Sequence, residues 1–216
     1  EPDPTAKKKR SEKLDNIFLG TSYETVEYDS NKFEQSPLNE DKLANDLKEG
    51  KIIGWFQGRM EFGHRALGNR SILFDPRNPK GKDIVNTVKG RESFRPFAGT
   101  VLLEEANNWF DMRGLDESPN MMYTVDVLSP EKIPAITHVD GTCRIQTLKK
   151  ENNQNYYDLI MEFYKLTGVP ILFNTSFNKA GDTIVDTIHD AFNTLRSSDI
   201  EYLYLPEYNK LITVNN

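Results

Sequence analysis

The sequence predicts an α/β (α+β) domain built on a twisted mixed sheet with flanking helices. Segments with apolar residues at helical spacing alternate with short apolar runs that are too brief for helices. Some of those runs are joined through helices and others through tight turns, so both parallel and antiparallel pairing is expected. Composition agrees: 37% hydrophobic and 28% charged residues in a chain of 216 suit one domain with a sizeable core.

Residues 1–16, "EPDPTAKKKRSEKLDN", hold few apolar side chains and read as a solvated tail or interdomain linker, with the domain proper over 17–216. Ile17–Gly20 is a first strand candidate. After a polar loop, Asn39 can cap a helix carrying Leu43 and Leu47, and Gly50 can stop it. A strand over Lys51–Gln57 follows, then a glycine-rich stretch, then a strand over Ser71–Phe74 closed by the turn "DPRNP". Lys80–Lys89 forms a helix that ends at Gly90.

Val101–Leu103, Met121–Leu128, Ala135–Val139 and Arg144–Leu148 read as strands, separated by turns bearing Pro119, Pro130, Pro134 and Gly141. Tyr156, Leu159, Ile160, Phe163 and Leu166 define a helix before "TGVP", and Val169–Phe173 returns to strand. Thr187 can cap a helix bearing Ile188, Ala191, Phe192 and Leu195; "IEYLYL" is the last clear strand. There is no internal repeat.

Several functions are disfavoured at once. No apolar run approaches a membrane span and the opening residues lack the apolar core of a signal peptide, so a cytoplasmic location is expected. Cys143 is the single cysteine, which excludes an internal disulfide and a CxxC zinc site. His64, His138 and His189 show no metal-ligand spacing, so no metal site is expected. A net charge of -6 argues against a general nucleic-acid surface.

The chemistry concentrates in three clusters. "GWFQGRMEFGHRALGNRSILF" sets Arg59, Arg65 and Arg70 among Gly58, Gly63 and Gly68. Arginine offers a permanent charge and a planar fork of donors that matches phosphate or carboxylate oxygens, and glycine lets backbone amides approach a ligand. The same arginines could instead pair with Glu61, Asp75 and other carboxylates. "KGRESFRPF" adds Lys89, Arg91 and Arg95, and "DGTCRIQT" adds Arg144. "FNTSFN" supplies neutral groups in Asn174, Thr175, Ser176 and Asn178 at a strand end. No Walker A loop or GxGxxG fingerprint is present, so a nucleotide would have to be held by scattered arginines and strand-end amides.

The blocks "GWFQGRMEFGHRALGNRSIL", "RESFRPFAG", "SPNMMYTV", "IPAITHVDGTCRIQT" and "TGVPILFNTSFNKAGDTIVDT" resemble the C-terminal domain of the O-carbamoyltransferases, over about Phe18 to Leu205. The resemblance implies a YrdC-like fold that binds ATP and carbamoyl phosphate, with Mg2+, and forms carbamoyl-adenylate. It implies a separate partner too, an actin-like N-terminal domain that carries its own metal and delivers the carbamoyl group to a hydroxyl; a homodimer is compatible with it. Carried over by position, it points to Lys89, Arg95 and Arg144 as catalytic and to Arg65, Asn174 and Ser176 as binding residues, beside the cradle arginines Arg59 and Arg70. Two departures are His64 and Gly99, where the family more often has proline. Alternatives are a nucleotide-binding regulatory domain without chemistry and an RNA-binding relative of the fold.

Overall fold

In a computed structural model, residues 17–20, 29–37 and 40–215 are described. They form one ten-stranded mixed sheet: β1 (Phe33–Pro37), β2 (Ile53–Phe56), β3 (Arg70–Phe74), β4 (Ala98–Leu102), β5 (Phe110–Asp111), β6 (Tyr123–Val127), β7 (Thr142–Leu148), β8 (Ile171–Ser176), β9 (Tyr202–Leu205) and β10 (Lys210–Val214). The spatial order is β1-β10-β9-β2-β3-β8-β4-β7-β6-β5. Only β2 with β9 and β4 with β7 pair in parallel. Five helices accompany it: α1 (Glu40–Lys48), α2 (Gly81–Lys89), the single-turn α3 (Ala106–Trp109), α4 (Gln154–Thr167) and α5 (Ile188–Arg196). Among the described residues no helix is long and apolar enough to cross a membrane.

The expected α/β class is therefore the observed one, and most boundaries fall within two or three residues of expectation. Thr187 caps α5 through a reciprocal capping box with Asp190, and Gly90 ends α2 in the left-handed conformation. Asn39 and the tail 1–16 lie outside the described residues.

The register sorts the side chains into two faces. Trp55, Tyr204, Asn174, Ala98 and Arg144 share one face through successive pairings across β9, β2, β3, β8, β4 and β7. There Trp55 packs on Tyr156 of α4 and Tyr204 donates to Asp46 of α1. On the other face Phe33 of β1 meets Phe192 of α5, and Gly81 of α2 lies against Phe74.

Two expected strands are absent. Ile17–Gly20 runs irregularly beside residues 60–62, with Phe62 N donating to Ile17 O and Gly20 N to Met60 O. Ala135–Val139 is a turn whose buried residues Ala135 and Ile136 pack against Gly81 of α2 and Gly99 of β4 respectively. A Cβ on Gly99 would stand 2.6 Å from Ile136 Cδ1, which gives the glycine a packing reason. Strands β1, β5 and β10 have no counterpart among the expected elements.

Candidate functional site

Arg144 of β7, Ala98 of β4 and Asn174 of β8 lie side by side in one row of the sheet. Ala98 contributes only a methyl group, so the row presents an arginine and an amide over a shallow floor. The connection from β2 to β3 folds back over this floor and carries Arg65.

That connection is pinned from several directions. Asn174 Nδ2 donates to Ala66 O at 3.1 Å and Gln146 Nε2 to Leu67 O at 3.0 Å. Trp55 Nε1 and Gln57 Nε2 both donate to Gly68 O. Glu61, only 3% exposed, accepts from the amides of Leu67, Asn69 and Arg70 through one oxygen, Oε1. Gly68 itself sits at φ +103 against the Tyr156 ring, which no residue with a side chain accommodates without displacement.

Arg65, Arg91, Arg144, His64, Asn174 and Ser176 border a narrow cleft of about 90 Å³. Arg91 is stacked over Phe97 at 4.2 Å and anchored by a 2.5 Å bond from Nε to Asn86 Oδ1. Burial, then the charges of Arg95 and Arg144, push the Arg91 guanidinium down to about 10; Glu92 opposes them. Burial and then Arg65 push Arg144 down as well. Mutual repulsion of this kind marks a place where an anion is favoured.

Unpaired polar atoms concentrate here. Among the described residues six buried side-chain nitrogen and oxygen atoms lack a partner, and four of them, Arg65 Nε, Arg91 Nη2, Arg144 Nε and Asn174 Oδ1, belong to residues of this cleft. An unsatisfied buried polar atom costs about 1–3 kcal/mol. The concentration has no structural compensation within the cleft.

A wider cleft of about 530 Å³ adjoins it, sharing Arg91 and Ser176 and adding Lys89, Arg95, Asn178 and Lys179. Lys89 is 3% exposed and donates to Ser176 O at 2.5 Å, Asn178 O at 2.8 Å and Asn178 Oδ1 at 2.8 Å. Burial and then Arg91 push its amine down to about 7, while these three acceptors favour the charged form. Lys89 thus fastens the end of β8 to the end of α2, where Lys89 O also accepts from Ala180 N. Arg95 is exposed and paired with Glu92 at 2.7 Å.

The anticipated residues therefore divide. Arg65, Arg144, Asn174 and Ser176 meet at the narrow cleft, and Lys89, Arg95 and Ser176 at the wide one. Arg70 borders neither: it is fully buried over Phe56 and donates to the carbonyls of Gln57, Gly58, Asn69 and Asp186. Arg59 turns to a separate groove and donates to Leu19 O and Gly20 O. Both hold the fold of the glycine-rich stretch. Arg91, which joins the two clefts, was legible in "KGRESFR" only as one more basic residue. Among the described residues no three His, Cys, Asp or Glu side chains gather as a metal site.

Sheet and site together define an α/β domain with a two-part cationic cleft at the strand ends. The chain belongs to the carbamoyltransferase C-terminus family, whose model matches residues 44–210. It is 47% identical over 171 residues to nodulation protein NolNO of Sinorhizobium fredii, covering 77% of this chain and 25% of that protein. It is 35% identical over 176 residues to the 3'-hydroxymethylcephem-O-carbamoyltransferase of Streptomyces clavuligerus, covering 81% of this chain and 33% of that enzyme. The chain thus spans a quarter to a third of these relatives. Its fold resembles P. abyssi Sua5 in complex with L-threonine, with a TM-score of 0.54 at 13% identity over 77% of this chain and 46% of that one. It also resembles full-length HypF in a phosphate- and nucleotide-bound form, at 0.53 and 14% over 85% of this chain and 22% of that one. These neighbours are YrdC/Sua5-like and HypF domains, in line with the expected YrdC-like fold.

Proposed function

We propose that this chain is the activating domain of an O-carbamoyltransferase. It binds ATP and carbamoyl phosphate and forms carbamoyl-adenylate, which a separate N-terminal domain uses to carbamoylate a hydroxyl in the cytoplasm. The observation that carries the proposal is the gathering of four unpartnered buried polar atoms in one arginine-lined cleft of a chain with net charge -6. Family membership and relatives that include a named O-carbamoyltransferase support the same reaction class.

In this reading carbamoyl phosphate is first hydrolysed to carbamate and phosphate. A carbamate oxygen then attacks the α-phosphorus of ATP; the new O–P bond replaces the α–β bridge and pyrophosphate departs with the negative charge. Arg65, Arg91 and Arg144 hold the reacting oxyanions, and Arg95 and Lys179 at the wide cleft neutralise the outer phosphates. Lys89 keeps Ser176 and Asn178 in place. Among the described residues no three His, Cys, Asp or Glu side chains gather at the clefts, so Mg2+ would be held by the nucleotide's own phosphate oxygens beside these cationic side chains.

Calorimetric titration with Mg-ATP and with carbamoyl phosphate, run beside a pyrophosphate assay, tests the proposal. Arg144→Ala should weaken phosphate binding by about 1.5–3 kcal/mol, roughly one to two decades, with the melting temperature retained. No binding of either substrate refutes the reading. Binding without pyrophosphate release, even with the N-terminal domain added, leaves a regulatory nucleotide site instead.

A further inference from the structure

The narrow cleft offers more than positive charge. Three of its unpartnered atoms are donors and one, Asn174 Oδ1, is an acceptor. The orientation of that amide is fixed by the backbone. Leu67 O can only accept, so Gln146 directs Nε2 to it at 3.0 Å and turns Oε1 towards Thr100. Thr100 Oγ1 gives its proton to Gln146 Oε1 at 2.8 Å, which leaves its lone pairs for Asn174 Nδ2 at 3.0 Å. Asn174 Nδ2 also meets Ala66 O at 3.1 Å, and a flipped amide would set oxygen against oxygen there. Asn174, 1% exposed, therefore keeps Oδ1 as a lone acceptor among arginines whose own unpartnered nitrogens do not reach it.

We infer that Asn174 Oδ1 is a specificity determinant that selects an acyl group bearing N–H over an isosteric acyl group without one. A guest that satisfies this cleft carries oxygens for Arg65, Arg91 and Arg144 and a hydrogen-bond donor for Asn174. Acetate and the acetyl phosphate dianion supply only acceptors, and hydrogen phosphate supplies its single hydroxyl donor on a tetrahedral frame. A carbamoyl or carbamate group supplies both kinds on one planar frame, and its few heavy atoms suit about 90 Å³. The inference rests on the proposed function for the anionic part of the ligand. The selection of nitrogen over carbon is its own content.

Two stable phosphonates of equal size and charge test it: phosphonoacetamide, with a terminal amide, and 2-oxopropylphosphonate, with methyl in place of the amino group. Titrated into the wild-type chain, the amide should bind at least about tenfold more tightly, the selectivity that one unmet buried acceptor imposes. Asn174→Ala should bring the ratio near one whatever it does to each affinity, and the wild-type ratio stands as a test by itself should that variant not fold. Equal affinities in the wild type overturn the inference while the anion site stands. No binding of either phosphonate overturns the anion site and the inference with it. A ratio unchanged in folded Asn174→Ala assigns the selection to another group and overturns the role of Asn174.

Discussion

Glu61 is the residue whose loss should most directly release the arginine-bearing connection. Its Oε1 accepts from three buried amides, Leu67 N at 2.7 Å, Asn69 N at 2.8 Å and Arg70 N at 3.2 Å. Glu61→Ala removes this acceptor from all three, and at about 1 kcal/mol per bond lost the cost is about 3 kcal/mol. Glu61→Gln retains a carbonyl oxygen at the same place but forfeits the charge that strengthens such bonds, so its cost should be nearer about 1 kcal/mol. Urea unfolding followed by tryptophan emission suits the question, because Trp55 Nε1 donates to Gly68 O within the same connection. With a slope of about 3 kcal/mol/M, the alanine variant should unfold about 1 M earlier and the glutamine variant about 0.3 M earlier. An alanine variant within about 0.5 kcal/mol of wild type, or a glutamine variant as costly as alanine, would refute the clamp.

Gly68→Ala should cost more than about 2 kcal/mol in thermal or urea unfolding, since its Cβ would stand 2.2 Å from Tyr156 Cδ1 at φ +103; near-wild-type stability would show that the ring yields freely. Lys89 makes a pH prediction with a definite sign. With the folded amine pushed down to about 7 from an ordinary 10.5, the unfolded chain holds a proton across pH 7 to 10 that the folded chain lacks. The stability of wild type relative to Lys89→Met should therefore rise with pH through that window and level off below it. A difference independent of pH would mean that Ser176 O and the two Asn178 oxygens keep the amine charged throughout.

What could be read from the sequence followed the strength of local signals. Helices α4 and α5 carry apolar faces at helical spacing and strong terminal residues, and β2, β3, β7, β8 and β9 are runs of buried side chains, so both kinds were legible. β1 buries Phe33 alone among its five residues and is held by its pairing with β10 across the length of the chain, a contact with no local trace. Ala135–Val139 misleads for the opposite reason. Its apolar residues are buried, but as a plug over glycines, with backbone bonds closing turns in place of a ladder.

The same distinction separates the arginines of the glycine-rich stretch. Composition marks Arg59, Arg65 and Arg70 alike as forks suited to anions. Which of them is committed to the protein depends on carbonyls that only the fold assembles: four gather around Arg70 and two around Arg59, while Arg65 is held over a floor where a methyl group separates Arg144 from Asn174. Arg70 and Arg59 spend their donors on fixing the curvature of the stretch, and Glu61 and Asn174 fix its backbone. The outcome of that fixing is that Arg65 Nε, Arg91 Nη2 and Arg144 Nε remain buried and unpartnered. A loop free to relax would fold those nitrogens onto its own carbonyls or turn them out to water. The rigidity that Glu61 supplies and the anion affinity proposed for Arg65 are therefore one property, and a variant that loosens the first should lose the second even with every arginine in place.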